Sequence, residues 1–431
     1  MKIATRIILS LIMVSALMMP VAVSASSEAT ADDHIVSVTA ITQVFGDGMK
    51  ASAAAIEYDA DIDPDSVSAE DYTIDGHEII AAFVSSEAEL TEESGEGPFV
   101  IVLLDTSTVQ GSNYVGMGGG TSGGRGKRAS GEMSSSSAIE LTVVQTGEIA
   151  TADGQIYAGS DTEYVTAAEE NINLVFDDFQ QLVFESEYGD FMYNFYVPAD
   201  YDENESYPMV LFMPDATGNG SNPVKTLIQG NGAIIWAEPE NQEENTCFVL
   251  APQFEDTVYD VEMTFELIDK LLDEFSIDPN RLYVTGQSAG TIRAITMMIE
   301  QPDRFAAAML VAGQAENGYE NRISELSGQT IWMIASTGDV RALPGMTAIM
   351  EAVAGKGTET TEGAWSAKLP IEEQNAEAEA MTEAGTSFYF TVLDDVLPEG
   401  AEDSDATWHM NTWRVAYEID AIRAWVFEQS K

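Results

Sequence analysis

The sequence predicts a doubly wound, mostly parallel α/β domain over residues 169–431, preceded by an all-β sandwich over residues 26–168. Three observations carry this prediction. From about residue 193 onward, short apolar runs alternate with amphipathic stretches of helical period, the pattern of β-α units whose central strands are buried on both faces. Between residues 35 and 165 the runs are short, strand-like and separated by polar turns, which is the rhythm of an immunoglobulin-like sandwich. Gly286-Gln287-Ser288-Ala289-Gly290 stands where an apolar run gives way to a helix, so it places a serine on a strand-to-helix turn.

Taken in order, Lys2 and Arg6 precede an apolar stretch from Ile7 to Met19, then Pro20 and a small-residue tail ending at Ala25. This is the layout of a cleaved secretory signal peptide over residues 1–25, and it predicts export. The sandwich is expected from Val36, Val38, Ile41 and Val44, then from runs at 55–58, 72–74, 79–84, 99–104 and 139–144. Asp59, Asp61, Asp63 and Glu70 have the spacing of an EF-hand loop, but Pro64 occupies the position that needs a glycine and no helices flank it. A strand end and turn is the better account, and no metal is expected. Residues 111–137 are rich in glycine and serine, with Arg125, Lys127 and Arg128 grouped among them; a solvated loop is expected there.

In the second half, residues 193–197, 209–213, 248–251, 282–285, 306–311, 331–335 and 388–393 are predicted strands. Val261, Phe265, Ile268, Leu271, Leu272 and Phe275 make one helical stripe, and Val415, Ile419, Ile422 and Val426 make another on the last helix. Cys247 is the only cysteine, so no intramolecular disulfide forms, and its place before an apolar run predicts a buried strand residue. The charged segment 358–384 fits a helical cap or a cover on the outside of the sheet.

Serine is a poor nucleophile unless a base lies within hydrogen-bond reach and a carboxylate orients that base. Only three histidines exist, and His34 and His77 fall in the sandwich, which leaves His409. Asp339, after the strand 331–335 and a small-residue turn, is the first candidate for the acid. Asp394 and Asp395 at the end of the next strand are rivals, with Asp403 and Asp405 behind them. The order Ser288, Asp339, His409 is that of α/β hydrolases, and differs from the chymotrypsin and subtilisin orders. The serine turn aims the backbone N–H groups of Gln287 and Ala289 toward a developing oxyanion. Trp365, Trp408 and Trp413 are candidate walls of a substrate pocket or core residues.

The segments 196–201, 207–212, 278–290 and Thr407-Trp408-His409 resemble secreted α/β-hydrolase esterases related to polyhydroxybutyrate depolymerases and feruloyl esterases, in the branch with an immunoglobulin-like N-terminal domain. The resemblance covers nearly all of the chain beyond residue 25, and it implies triad roles for Ser288, Asp339 and His409. Such enzymes usually carry His-Gly after the third strand, whereas Pro214-Asp215-Ala216-Thr217-Gly218 stands here. An inward carboxylate would repel an oxyanion, so Asp215 is expected to turn away while its own backbone N–H or that of Ala216 donates.

A formal charge of −55 and a pI near 4.1 argue against nucleic acid and anionic membranes as partners. No segment after the signal has the apolar length to span a bilayer. The sequence therefore predicts a secreted serine ester hydrolase that needs no cofactor and acts on a small or polymer-linked ester. A serine peptidase and an inactive surface-binding protein are the alternatives, and the sandwich is the expected route to any homo-oligomer.

Overall fold

The structure is a computed structural model that describes residues 34–111 and 139–431. Residues 1–25, expected to be a signal peptide, and almost all of the glycine- and serine-rich stretch lie outside the described residues.

The first layer pair begins with a long hairpin of β1 (Ile35–Phe45) and β2 (Gly48–Tyr58). It continues through β3 (Tyr72–Ile74), β4 (Ile79–Ser85), β5 (Phe99–Leu104), β6 (Thr142–Gln145), β7 (Ile149–Ala150), β8 (Ile156–Tyr157), β9 (Tyr164–Val165) and β10 (Ile172–Asn173). One sheet has the order β10-β1-β2-β5-β4, and a smaller one has the order β3-β6-β9. Strand periodicity explains the packing. Ala54, Ile56, Val100 and Val102 point to one face and bury against Tyr72, Ile74 and Val143 of the smaller sheet, while Ala53, Ala55 and Ile101 bury on the other face. Ile172 pairs in parallel with Ile41 of β1, so the sandwich sheet takes in residues a few positions beyond the boundary expected at 168. The segment with EF-hand spacing forms two short 3-10 turns, Pro64–Ser66 and Ala69–Asp71. Its carboxylates serve the domain itself: Asp59 accepts from the Tyr157 hydroxyl at 2.5 Å and Asp63 from the Asp65 N–H at 3.1 Å.

The second sheet comprises β11 (Gln180–Ser186), β12 (Gly189–Tyr196), β13 (Tyr207–Met213), β14 (Phe248–Pro252), β15 (Ile277–Gln287), β16 (Ala307–Val311), β17 (Ile331–Ser336), β18 (Thr360–Ser366) and β19 (Phe388–Asp394). Their order is β11-β12-β14-β13-β15-β16-β17-β19-β18. β12 alone runs antiparallel to the others, pairing so with β11 and β14, and every pairing from β14 to β18 is parallel. The helices are α1 (Val224–Ile228), α2 (Pro239–Glu244), α3 (Asp260–Glu274), α4 (Ala289–Glu300), α5 (Ala342–Ala354), α6 (Ile371–Thr382), α7 (Asp405–Ala416) and α8 (Asp420–Phe427). Alternate residues of each central strand bury in separate layers. Val210, Phe212, Tyr283, Trp332 and Ile334 face a core built with α6, α7 and α8, whereas Leu211, Val284, Met333 and Ala335 face one built with α3, α4 and α5. Burial on both faces is why these strands are uninterrupted apolar runs in the sequence.

The charged segment 358–384 is not a cap over the cleft. Its first part is the edge strand β18, and α6 then lies on the sheet with Ala378 and Met381 buried. Trp365 belongs to that core as well. Cys247 is fully buried just before β14, and burial pushes its thiol up to about 12.

Residues Ile35–Lys431 form one compact unit. Val44 and Met49, at either side of the β1–β2 turn, pack into the core shared with α7. Gly46 in that turn lies so close to α7 that a Cβ there would sit 2.9 Å from the Arg414 Cα. Among the described residues, no helix is long and apolar enough to cross a membrane.

Candidate active site

Ser288 stands between β15 and α4 with φ 53° and ψ −116°, a conformation that a residue with a Cβ adopts only where its surroundings impose it. The two flanking glycines make this turn possible. A Cβ on Gly286 would lie 2.7 Å from the Gly290 carbonyl carbon, and one on Gly290 would lie 1.8 Å from the Met213 carbonyl oxygen of β13. Strand and helix therefore approach through hydrogen atoms alone. The Ser288 N–H donates to the Val311 carbonyl at 3.0 Å, and the Thr291 hydroxyl sits 2.6 Å from the Gly286 carbonyl while accepting from the Val311 N–H at 3.1 Å. These bonds lock the turn onto β16. Gly290→Ala is expected to lower stability by about 3 kcal/mol, because the clash is with backbone and no rotamer relieves it; thermal unfolding should register this as a drop of several degrees in Tm.

His409 projects from α7, whose start is capped by Ser404 accepting from the Thr407 N–H at 3.3 Å. The helix is tied to β17 by Thr412, which donates to Ser336 at 2.7 Å. This seating brings His409 Nε2 to 2.8 Å from Ser288 Oγ and His409 Nδ1 to 2.5 Å from Asp339 Oδ2. Asp339 is fully buried. Its second oxygen accepts from the backbone N–H groups of Ala342 at 2.9 Å and Arg341 at 3.1 Å, at the start of α5. Burial alone would raise its carboxyl, but the bonds from His409 and the two N–H groups outweigh that and hold it below the ordinary carboxylate value.

The rival acids are engaged elsewhere. Asp394 accepts from Thr337 at 2.8 Å, Asp395 from Ser366 at 2.9 Å, Asp403 from the Trp408 indole at 2.7 Å and Asp405 from the Val340 N–H at 3.1 Å. Of the three tryptophans considered as pocket walls, Trp413 touches the site by setting its ring edge-to-face with His409 at 5.1 Å, and Trp408 packs over Gly338. The small cavity over Ser288 and His409 is instead lined by Ile292, Ala312, Gly313, Gln314, Arg341 and Ala342.

The expected oxyanion donors separate. The Asp215 N–H donates to Gln229 Oε1 at 3.0 Å, so it is not available to a substrate, contrary to expectation. The Asp215 carboxylate is buried, accepting from the Thr217 N–H at 2.6 Å and from Gln287 Nε2 at 2.9 Å. Gln287 still belongs to the strand ladder, paired with Val311, and contributes this side chain. The N–H groups of Ala289, at the first position of α4, and of exposed Ala216 have no acceptor among the described residues.

Comparison with known proteins accounts for both halves of the chain. Residues 37–158 match the family of esterase Ig-like N-terminal domains, and residues 250–335, which include the serine turn, match the prolyl oligopeptidase family. A solved structure described as a thermostable esterase covers 92% of this chain and 100% of its own, at 24% identity and a TM-score of 0.67. The chain has the α/β-hydrolase fold, preceded by a domain that matches the esterase Ig-like N-terminal family. The chain is also 44% identical over 48 residues to poly(3-hydroxyalkanoate) depolymerase C of Paucimonas lemoignei, a stretch that covers 11% of this chain and 12% of that protein. A feruloyl esterase module from Clostridium thermocellum aligns at 14% identity over 56% of this chain and 87% of its own, with a TM-score of 0.40.

Two residues that shape the loop after β13 were not singled out from the sequence. Gln229 takes the Asp215 N–H, and Gln253 Nε2 donates to the carbonyls of Gly218 at 2.5 Å and Gly220 at 2.9 Å. Gln253 left one faint signal, a polar residue closing the apolar run of β14. Gln229 left none, since its role depends on a partner 14 residues earlier.

Proposed function

We propose that this hydrolase is a serine carboxylic-ester hydrolase, exported from the cell, in which Ser288 is the nucleophile, His409 the general base and acid, and Asp339 the group that orients the imidazole. The reading rests on one observation, the unbroken hydrogen-bonded run from Ser288 Oγ through His409 to buried Asp339 at 2.8 and 2.5 Å. His409 Nε2 takes the proton as Oγ attacks the ester carbonyl, then delivers it to the leaving alcohol, and water repeats the cycle on the acyl-enzyme. The Nδ1–H donated to Asp339 fixes the tautomer that leaves Nε2 free to accept. Ala289 and Ala216 supply the backbone N–H groups for the oxyanion, Ala216 being the alternative to Asp215.

A fluorophosphonate probe tests this reading. One equivalent should attach at Ser288, mapped by peptide mass spectrometry, and hydrolysis of p-nitrophenyl acetate should disappear in step with labelling. Attachment elsewhere, or full activity after complete labelling, would refute it. The match of residues 250–335 to the prolyl oligopeptidase family favours a second reading, amide hydrolysis by the same residues. Matched ester and amide substrates with a common acyl group separate the two, and the ester is expected to be the better substrate.

A further inference from the structure

We propose that the larger cavity beside the first turns of α4 is the subsite for the bulkier limb of the ester, and that it takes an uncharged limb with flat apolar surface and a hydrogen-bond-accepting oxygen. The inference rests on the esterase reading. Ile292 lines two neighbouring cavities. The one over Ser288 and His409 is about 80 Å³, space for only a few water molecules. The other is about 440 Å³ and continues from Ala289 and Ile292 along Thr296 to the wall formed by Val258 and Val261. Of these two, the second has the room for a large limb.

The outer wall of that cavity has the features of a contact surface. Val258 is 84% exposed, and Tyr259 beside it is 46% exposed. Tyr259 stacks on Tyr188 of the β11–β12 turn, itself 41% exposed, with ring centroids 4.5 Å apart and planes inclined by 12°. Large apolar side chains left in water beside an open cavity next to a nucleophile offer surface that a ligand would cover.

The loop carrying them is held in a defined shape. Asp256 adopts φ 64°, unusual for a residue with a Cβ. Arg293 of α4 reaches Asp256 at 3.4 Å and Asp260 at 3.6 Å, with its guanidinium 4.5 Å over the Phe254 ring. Arg293 Nη1 is buried and has no acceptor among the described residues. An unmet buried donor is unfavourable, so an oxygen on the bound limb would be stabilised beside it. Asp256, Asp260 and Glu316 outnumber the one cation in this cavity, which disfavours an anionic limb.

The test compares kcat/KM for four esters. Vinyl acetate has two small limbs, 7-acetoxycoumarin a large alcohol limb, methyl coumarin-3-carboxylate a large acyl limb, and 7-acetoxycoumarin-3-carboxylate an anionic one. In the double variant Val258→Ala/Tyr259→Ala, whose positions are exposed, the ratio of kcat/KM for one of the two neutral bulky esters to that for vinyl acetate should fall at least fivefold, mostly through KM. A smaller change for both overturns the proposal. Thr296→Phe, which fills the cavity from α4, should move the same ratio in the same direction if it folds; if it does not, the double variant decides alone. Wild-type enzyme should process the anionic coumarin ester at least tenfold more slowly than its neutral parent, and parity overturns the charge requirement. Failure of the esterase reading is seen separately, as no wild-type activity on any of the four together with no fluorophosphonate labelling.

Discussion

Ser288→Ala is expected to reduce kcat for p-nitrophenyl acetate by about 10⁴- to 10⁶-fold, as deletion of an activated nucleophile removes the covalent route entirely. Structure around the site should survive the change. Among the described residues the side chain's one hydrogen-bond partner is His409, and the backbone anchors of the turn, the Ser288 N–H on Val311 and the Thr291 hydroxyl beside the Gly286 carbonyl, do not involve Oγ. Alanine also carries a Cβ, so the strain at φ 53° is neither relieved nor increased. The measurement pairs steady-state kinetics with thermal unfolding. Loss of activity with unchanged Tm is the expected result, and retention of more than about a tenth of wild-type kcat would eliminate the serine mechanism, since no residual pathway through binding alone is that efficient.

Asp339→Asn should cost about 10⁴-fold in kcat, with little change in KM. The amide keeps the shape of the carboxylate and can still accept from the N–H groups of Ala342 and Arg341. However, its NH2 group facing His409 Nδ1 favours the tautomer with the proton on Nε2, where it cannot receive the serine proton. The same substitution has a signature in stability. Because the fold holds the Asp339 carboxyl below its ordinary value, the stability it contributes is fully present above the unfolded-state value of about 3.9, and is lost as pH falls through the lower folded-state value. Thermal unfolding from neutral to strongly acid pH should therefore decline less steeply for the Asn variant. An Asn variant that keeps both full activity and the wild-type acid profile would remove Asp339 from the site and return Asp394 and Asp395 to consideration.

The sequence carried a good deal of the fold because its physical signals are local. The Gly-x-Ser-x-Gly spacing encodes a turn in which Gly286 and Gly290 let β15, α4 and β13 approach without side chains, and uninterrupted apolar runs encode strands covered on both faces. The segment 358–384 was harder, since β18 is a polar edge strand with only Trp365 fully in the core; a strand paired on one side leaves little hydrophobic trace. The choice among acids was likewise open in the sequence, because Asp339, Asp394 and Asp395 all follow apolar runs, and chain position says nothing about which carboxylate α7 will meet.

The chain alone determined that a serine would sit on a strained strand-to-helix turn in a parallel sheet, and that His409 was the only histidine placed to serve it, because strand and helix periods and the scarcity of histidine are properties of the sequence itself. The tertiary structure decided that Asp339 meets the imidazole, that the Asp215 N–H is taken by Gln229, and that a cavity walled by Val258 and Arg293 opens beside α4. Each of these depends on a contact between segments distant in the chain, set by how α4, α5 and α7 pack around the ends of the strands, and no local pattern of residues specifies such a distance.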